Sequence, residues 1–467
     1  MTIDRLTPLD RLMLGASRRW PQDIGALTIL DGATLFDAAG RLQVEAIRHA
    51  IEARLHLVPR FRQLIHTPRR GFGGPFWVDA PDFDLTSHVR EHPLPPPGDE
   101  SGLLEVVEQL RRRPLDPTRR LWEMWFLTGL PDQKVGLYVR IHHSIADGMA
   151  AMATVAAFLD TAPDQSVTPP APWTPGPRPS TKDLLTDNLA HYLHSVTRAV
   201  SVIMRPRAAF RRLREAWPAM RELLTERPAS KTGLDRMVGP ARQVRLIRTS
   251  LEAVKRAGRA HGATVNDVLL TVTGGGVRAL LASRGEPVGD TTIRAYSPVS
   301  LRRQLDDPQQ GNLISQMAVP LRLGDADPTR RLRQVAAETT RRKAMTRTSL
   351  GVLVQNRILR RLTLMAAMRQ RVNVATASIP GPPIPLYLAG ARMLEVFPLI
   401  PLIADEPLGI GALSYAGDLF IGIVADPDVC PDIDVLAAGI RNELEELQSV
   451  YHSSPNGMVT SKERITR

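Results

Sequence analysis

The chain has 467 residues, 43% of them apolar, and 60 basic against 48 acidic side chains, for a formal net charge of +12. That length exceeds one ordinary core and predicts two domains, while the apolar fraction is too low for an integral membrane protein. Cys430 is the single cysteine, which excludes a disulfide scaffold and cysteine-based zinc sites and fits a reducing cytoplasm. No apolar run reaches the roughly 20 residues a spanning helix needs. The N-terminus, MTIDRLTPLDRLML, has acids and no apolar signal core, so no secretory leader is expected. The basic excess points to an anionic partner, or else to arginine on solvated faces. Nucleic acid is disfavoured, because aromatics make up only 5% of the chain and do not interleave with the basic residues.

Taken in chain order, IGALTIL from Ile24 predicts a strand. Val44, Ile47, Ile51, Leu55 and Val58 share one helical stripe. WEMWFLTGL and KVGLYVRI read as strands, and GMAAMATVAAFL as a helix. The proline-rich stretch APDQSVTPPAPWTPGPRP sustains neither helix nor central strand and predicts a linker. A basic helical stretch follows from Thr181 to Glu226. Its part from Arg198 to Arg214 holds six arginines and no acid among apolar residues. Two readings stand for it: an amphipathic segment for an anionic membrane or lipid droplet, or a helical hairpin packed on the domains. A second α/β region runs from QVRLIRTS to DIDVLAAGIRNELEELQSVY, and a polar tail starts at His452. The expected division is 1–162, 163–240, 241–451 and 452–467. GFGG and TGGG lack the lysine and spacing of a phosphate-binding loop.

The chemistry concentrates in RIHHSIADGM, where His142 and His143 end a strand ahead of Asp147 and Gly148. Successive strand side chains point to opposite faces, so the two histidines do not share one task. A metal site would need further ligands, and the other histidines are scattered without spacing, so no metal is expected. Two readings remain: buried histidines satisfied by the backbone, or a general base that takes a proton from an alcohol near neutral pH. No G-x-S-x-G elbow or reactive cysteine accompanies the pair, which favours direct transfer over an acyl-enzyme.

HHSIADG matches the HHxxxDG signature of CoA-dependent acyltransferases, and the wider chain resembles the bacterial wax ester synthase/diacylglycerol acyltransferase family. The resemblance runs from Leu6 to Val450 through RRLWEMWFLTGL, TVNDVLLTVTGGGVRALL, IRAYSPVSLR, GNLISQMAVPL and the blocks that follow. It implies an α/β fold of two chloramphenicol-acetyltransferase-like domains joined by a linker, with the active-site tunnel at their interface. It implies acyl-CoA as co-substrate, no permanently bound cofactor, and diacylglycerol or a fatty alcohol as acceptor. By the same resemblance His143 is the general base and Asp147 orients the loop. Gly148 gives substrate access, His142 is a neighbour, and Asn266 with Asp267 supports the site from the second domain. Arg120, where the family commonly has proline, and Ser378, where it commonly has asparagine, are departures that touch acceptor preference. The same chemistry on another alcohol, or a non-catalytic lipid-surface protein, are the alternatives. The expected location is the cytoplasm, peripheral on the inner membrane or lipid droplets.

Overall fold

The computed structural model describes residues 3–17, 19–69, 71–146, 148–164, 173–204, 214, 221, 228–300, 314–355 and 371–449. The first half runs α1 (Pro8–Ala16), β1 (Asp23–Asp31), α2 (Val44–Glu52), β2 (Gln63–His66), β3 (Phe76–Asp79), β4 (Val89–Pro93), α3 (Glu100–Arg112), β5 (Trp122–Thr128), β6 (Lys134–His142), α4 (Gly148–Ala156) and α5 (Thr181–Met204). The second runs β7 (Gln243–Ser250), α6 (Leu251–Arg259), α7 (Val265–Ser283), β8 (Thr292–Ser300), β9 (Ile314–Arg322), α8 (Pro328–Gln355), β10 (Val374–Pro380), β11 (Tyr387–Leu388), β12 (Ala391–Leu399), β13 (Leu408–Tyr415), β14 (Asp418–Ala425) and α9 (Ile433–Ser449).

Two mixed six-stranded sheets organise these elements. The first has the order β11-β12-β1-β6-β5-β4 and the second β7-β14-β13-β10-β8-β9. β6 lies between β1 and β5, and every residue after Lys134 in it is buried. A strand covered on both faces reads as a continuous apolar run, as KVGLYVRI does. The helical stripe from Val44 divides: the helix stops at Glu52, Leu55 stays buried in a short 3-10 turn, and Val58 stays buried between that turn and the next. Pro59 begins the second turn and pushes Val58, the residue before it, out of the helical region.

Hydrogen bonding joins the two halves of the chain. β12, from the second half, runs antiparallel along β1 from Gly25↔Leu399 to Leu30↔Met393. It thereby covers an edge that β1 would otherwise leave open. The chain leaves the second sheet after β10, lends β11 and β12 to the first, and returns as β13. Close approach makes this possible at Gly422, where a Cβ would stand 2.3 Å from the Pro398 carbonyl oxygen. Phe397 and Phe420 then meet edge to face with centroids 5.2 Å apart.

The described part of the linker lies against the first unit. The Gly176 amide donates to Asp79 at 2.8 Å, and Arg62 stacks over Trp173. α5 docks beside it through buried Leu184 and an Arg5–Asp187 ion pair of 2.6 Å. Most of the arginine-rich stretch after Met204 and the tail from 450 lie outside the described residues.

Candidate active site

β6 delivers the histidine pair. His142 is its last residue, opposite Asp23 of β1, and His143 opens the turn that leads to α4. The backbone holds the corner firmly. The His142 amide donates to the Leu121 carbonyl, the His143 amide to the Gln22 carbonyl, and the Ile145 amide to the His142 carbonyl, each at 2.9 Å.

The two side chains have unlike surroundings. His142 is 2% exposed, whereas His143 is partly exposed. The His142 Nδ1 accepts the Ser144 amide at 3.0 Å and stands 2.7 Å from the Ser144 hydroxyl. A backbone amide can only donate, so Nδ1 carries a lone pair and the ring proton sits on Nε2. Nε2 lies 2.6 Å from the Ser17 hydroxyl oxygen, and that hydroxyl donates to the Met13 carbonyl at 2.8 Å. Burial drives the His142 pKa down to about 4; Asp23 opposes the shift and His143 adds to it. His142 is therefore neutral at physiological pH, with both ring nitrogens engaged.

A charged belt surrounds this strand end. Arg140 donates to Glu123 through Nε and Nη2 at 3.0 and 2.8 Å, and through Nη1 to the Leu110 and Arg113 carbonyls. Burial alone would raise the Glu123 carboxyl, but Arg140, the Trp125 indole and Arg90 together hold it below its ordinary value. Arg111 reaches from α3 to the Leu399 and Ile400 carbonyls, tying β12 into the unit that carries the histidines.

Asp147 lies outside the described residues. Gly148 is the first residue of α4. Asn266 and Asp267 occupy the first turn of α7, in the second unit. The Ser297 hydroxyl donates to the Asn266 side-chain oxygen at 3.1 Å. Asp267 closes a capping box with Thr264 and accepts from the Thr339 hydroxyl at 2.7 Å, so its carboxylate fixes the start of the helix. Arg120, one of the two departures from the family pattern, pairs with Asp82 and lies over Phe83. A cavity of about 540 Å³ lies between α7, β9 and α8; its lining includes Arg322, Arg331, Arg341 and Arg342 but none of the expected site residues. Among the described residues no cluster of His, Cys, Asp or Glu is arranged to hold a metal ion.

Ser17, Ser144 and Gln22 hold the histidine corner, and sequence reasoning missed all three. Ser144 stands inside HHSIADG, at a position the motif leaves open. Ser17 and Gln22 carry no spacing signal, because only the fold brings α1 and its following loop to the end of β6.

Comparison with known proteins places this geometry. A model of the wax ester synthase/diacylglycerol acyltransferase catalytic domain matches residues 6–269, and a model of that family's C-terminal domain matches 310–448. A Mycobacterium tuberculosis protein named "probable diacylglycerol O-acyltransferase" is 31% identical, with 96% of each chain covered. A second protein of that organism, with the same description, is 29% identical over 96% of this chain and 99% of its own. Among solved structures, the wax ester synthase/diacylglycerol acyltransferase from Marinobacter aquaeolei superposes with a TM-score of 0.67 at 23% identity, covering 96% of this chain and 100% of the other. The first condensation domain of the calcium-dependent antibiotic synthetase does so at 0.62 and 17%, with 96% of each chain covered. At these identities the two structures speak for the fold.

Proposed function

Because this chain belongs to the wax ester synthase/diacylglycerol acyltransferase family and is an acyltransferase, we propose that it moves a long-chain acyl group from acyl-CoA to the hydroxyl of diacylglycerol or a fatty alcohol. The products are triacylglycerol or a wax ester, and free CoA. In this reading His143 takes the hydroxyl proton as the oxygen forms its bond to the thioester carbonyl carbon. The carbon–sulfur bond then breaks, and the departing CoA thiolate takes the proton from the imidazolium, which gives free CoA thiol and returns His143 to its neutral form.

The observation that carries the assignment is the division of labour within the pair. His142 is buried, with both nitrogens spent, while His143 is partly exposed on a corner fixed by its own backbone. A base must come within hydrogen-bond reach of its proton, directly or through one water, and its partial exposure favours His143 over His142 for that task. In this reading Asp147 orients the loop, Gly148 gives substrate access, and Asn266 supports the site from the second unit, with substrates meeting in a tunnel between the units. Removing the His143 imidazole should cost at least about 100-fold in rate. The acceptor is tested by thiol release from palmitoyl-CoA with dioleoylglycerol, with hexadecanol, with a small non-lipid alcohol, and alone. Release that depends on dioleoylglycerol or hexadecanol is expected; release with the non-lipid alcohol only would overturn the acceptor class.

The lipid acceptors lie in a membrane or droplet, and α5 offers a surface suited to one. Leu185, Leu189, Tyr192 and Leu193 are 51%, 59%, 66% and 54% exposed, spaced as one helical stripe, just ahead of the six arginines between 198 and 214. Apolar stripe and basic charge together favour an anionic lipid surface. No described helix is long and apolar enough to cross a membrane. The L189E/Y192E variant should lose binding to phosphatidylglycerol vesicles in a flotation assay; undiminished flotation would rule out this stripe.

A further inference from the structure

We infer that Ser17 is a positioning residue for the reaction: from the end of α1 it holds His142 in the neutral Nε2–H form and thereby sets the corner that carries His143. The inference rests on the reading of His143 as base.

Four hydrogen bonds run in one direction. The Ser17 hydroxyl has a single proton and gives it to the Met13 carbonyl at 2.8 Å. Its oxygen, 2.6 Å from Nε2 of His142, is left to accept, so Nε2 must be the protonated nitrogen. Nδ1 then accepts from the Ser144 amide at 3.0 Å and faces the Ser144 hydroxyl at 2.7 Å. Ser144 is the residue after His143, so the ring of His142 pins the catalytic corner on one side. On the other side the His143 amide is pinned by the Gln22 carbonyl. Ser17 and Gln22 belong to one short segment, and in the same segment the Trp20 indole donates to the Val238 carbonyl at the start of the second unit.

If His142 turned to the Nδ1–H form, two donors would face each other at Ser144, and the corner would have to move. Small displacements of a catalytic group are costly: about 1 Å can cost as much as 100-fold in rate. Ser17 does not touch the substrate in this account, so its loss should lower the turnover and spare binding.

The test uses the whole chain with 15N-labelled histidine. Ring-nitrogen correlation spectra at neutral pH, with the His142 signals assigned by their absence from His142→Gln, are expected to show the Nε2–H form in wild type. In Ser17→Ala the His142 signals should move toward exchange between tautomers. With palmitoyl-CoA and whichever of dioleoylglycerol or hexadecanol is turned over, Ser17→Ala should lose about tenfold in kcat. Both KM values should stay within about twofold, and Ser17→Thr, which keeps the hydroxyl, should recover most of the loss. An Nδ1–H ring in wild type overturns the inference, as does a Ser17→Ala protein with unchanged kcat or with a change confined to KM. The wild-type spectrum needs no activity, so it decides the tautomer even if the base assignment fails.

Discussion

A histidine kept neutral inside a fold destabilises that fold as acid is added, because the unfolded chain binds a proton that the folded one refuses. His142 is such a group: burial lowers its pKa from the ordinary 6.5 to about 4. Its contribution is complete above pH 6.5. As pH falls from 6.5 toward 4 the unfolded state gains the proton first, and stability declines by up to about 1.4 kcal/mol per pH unit. Urea unfolding at pH 7 and pH 5 should therefore show wild type losing about 2 kcal/mol more than His142→Gln over that interval; equal losses would mean that His142 is not held neutral. At this scale the sequence made the corner legible but not its bonding. The alternation of strand side chains predicted unlike surroundings for the two histidines. The partners that make them unlike, Ser17 and Gln22, are brought to β6 by tertiary packing and leave no local pattern.

Helix-to-helix packing explains a motif that has no phosphate chemistry. The three glycines of TGGG lie in the middle of α7, where it crosses α9. A Cβ at Gly276 would stand 2.5 Å from Ile440, and one at Gly275 would overlap the carboxylate of Glu443. That carboxylate is buried and paired with Arg331 of α8, so three helices meet at the bare backbone of α7. Gly275→Ala would push the Glu443 carboxylate away from Arg331 and overpack the crossing, a loss of about 1–3 kcal/mol. Chemical denaturation would show it as a fall in midpoint, and an unchanged midpoint would contradict the packing. TGGG could be excluded as a phosphate loop from its sequence, but its packing role depends on what lies opposite. The first turn of α7 shows the converse. The Thr264–Asp267 spacing is a capping-box signature, and the structure uses Asp267 in that way.

Across the whole molecule, the two chloramphenicol-acetyltransferase-like units of this α/β fold are bound together by a borrowed hairpin. β11 and β12 complete the first sheet, and two arginines of the first unit secure them. Arg111 holds the carbonyls at the end of β12. Arg54 donates through one nitrogen to both carboxylate oxygens of Asp160 at 2.6 Å, and the Asp160 backbone exchanges two 2.8 Å hydrogen bonds with Tyr387 of β11. Asp160 also follows α4, so this anchor fixes the far end of the helix that starts at the histidine corner. Arg54→Met would leave Asp160 buried without its partner and should cost about 3–5 kcal/mol; a melting temperature equal to wild type would contradict that role. The alternation of strands and helices and the proline-rich linker pointed to two α/β units. The loan of β11 and β12 to the first sheet was not legible, because they look like any strands of the second half and only the open edge of β1 claims them.

The central claim, that His143 is the base of an acyl transfer, is tested most directly by the rate at which free CoA thiol appears from palmitoyl-CoA and the working lipid acceptor. Wild type is compared with His143→Ala, and the variant's fold is checked by its melting curve. A loss of at least about 100-fold in kcat/KM with the melting curve unchanged is the predicted result. Equal acceptor-dependent release by both proteins would contradict the claim and place the base on another residue.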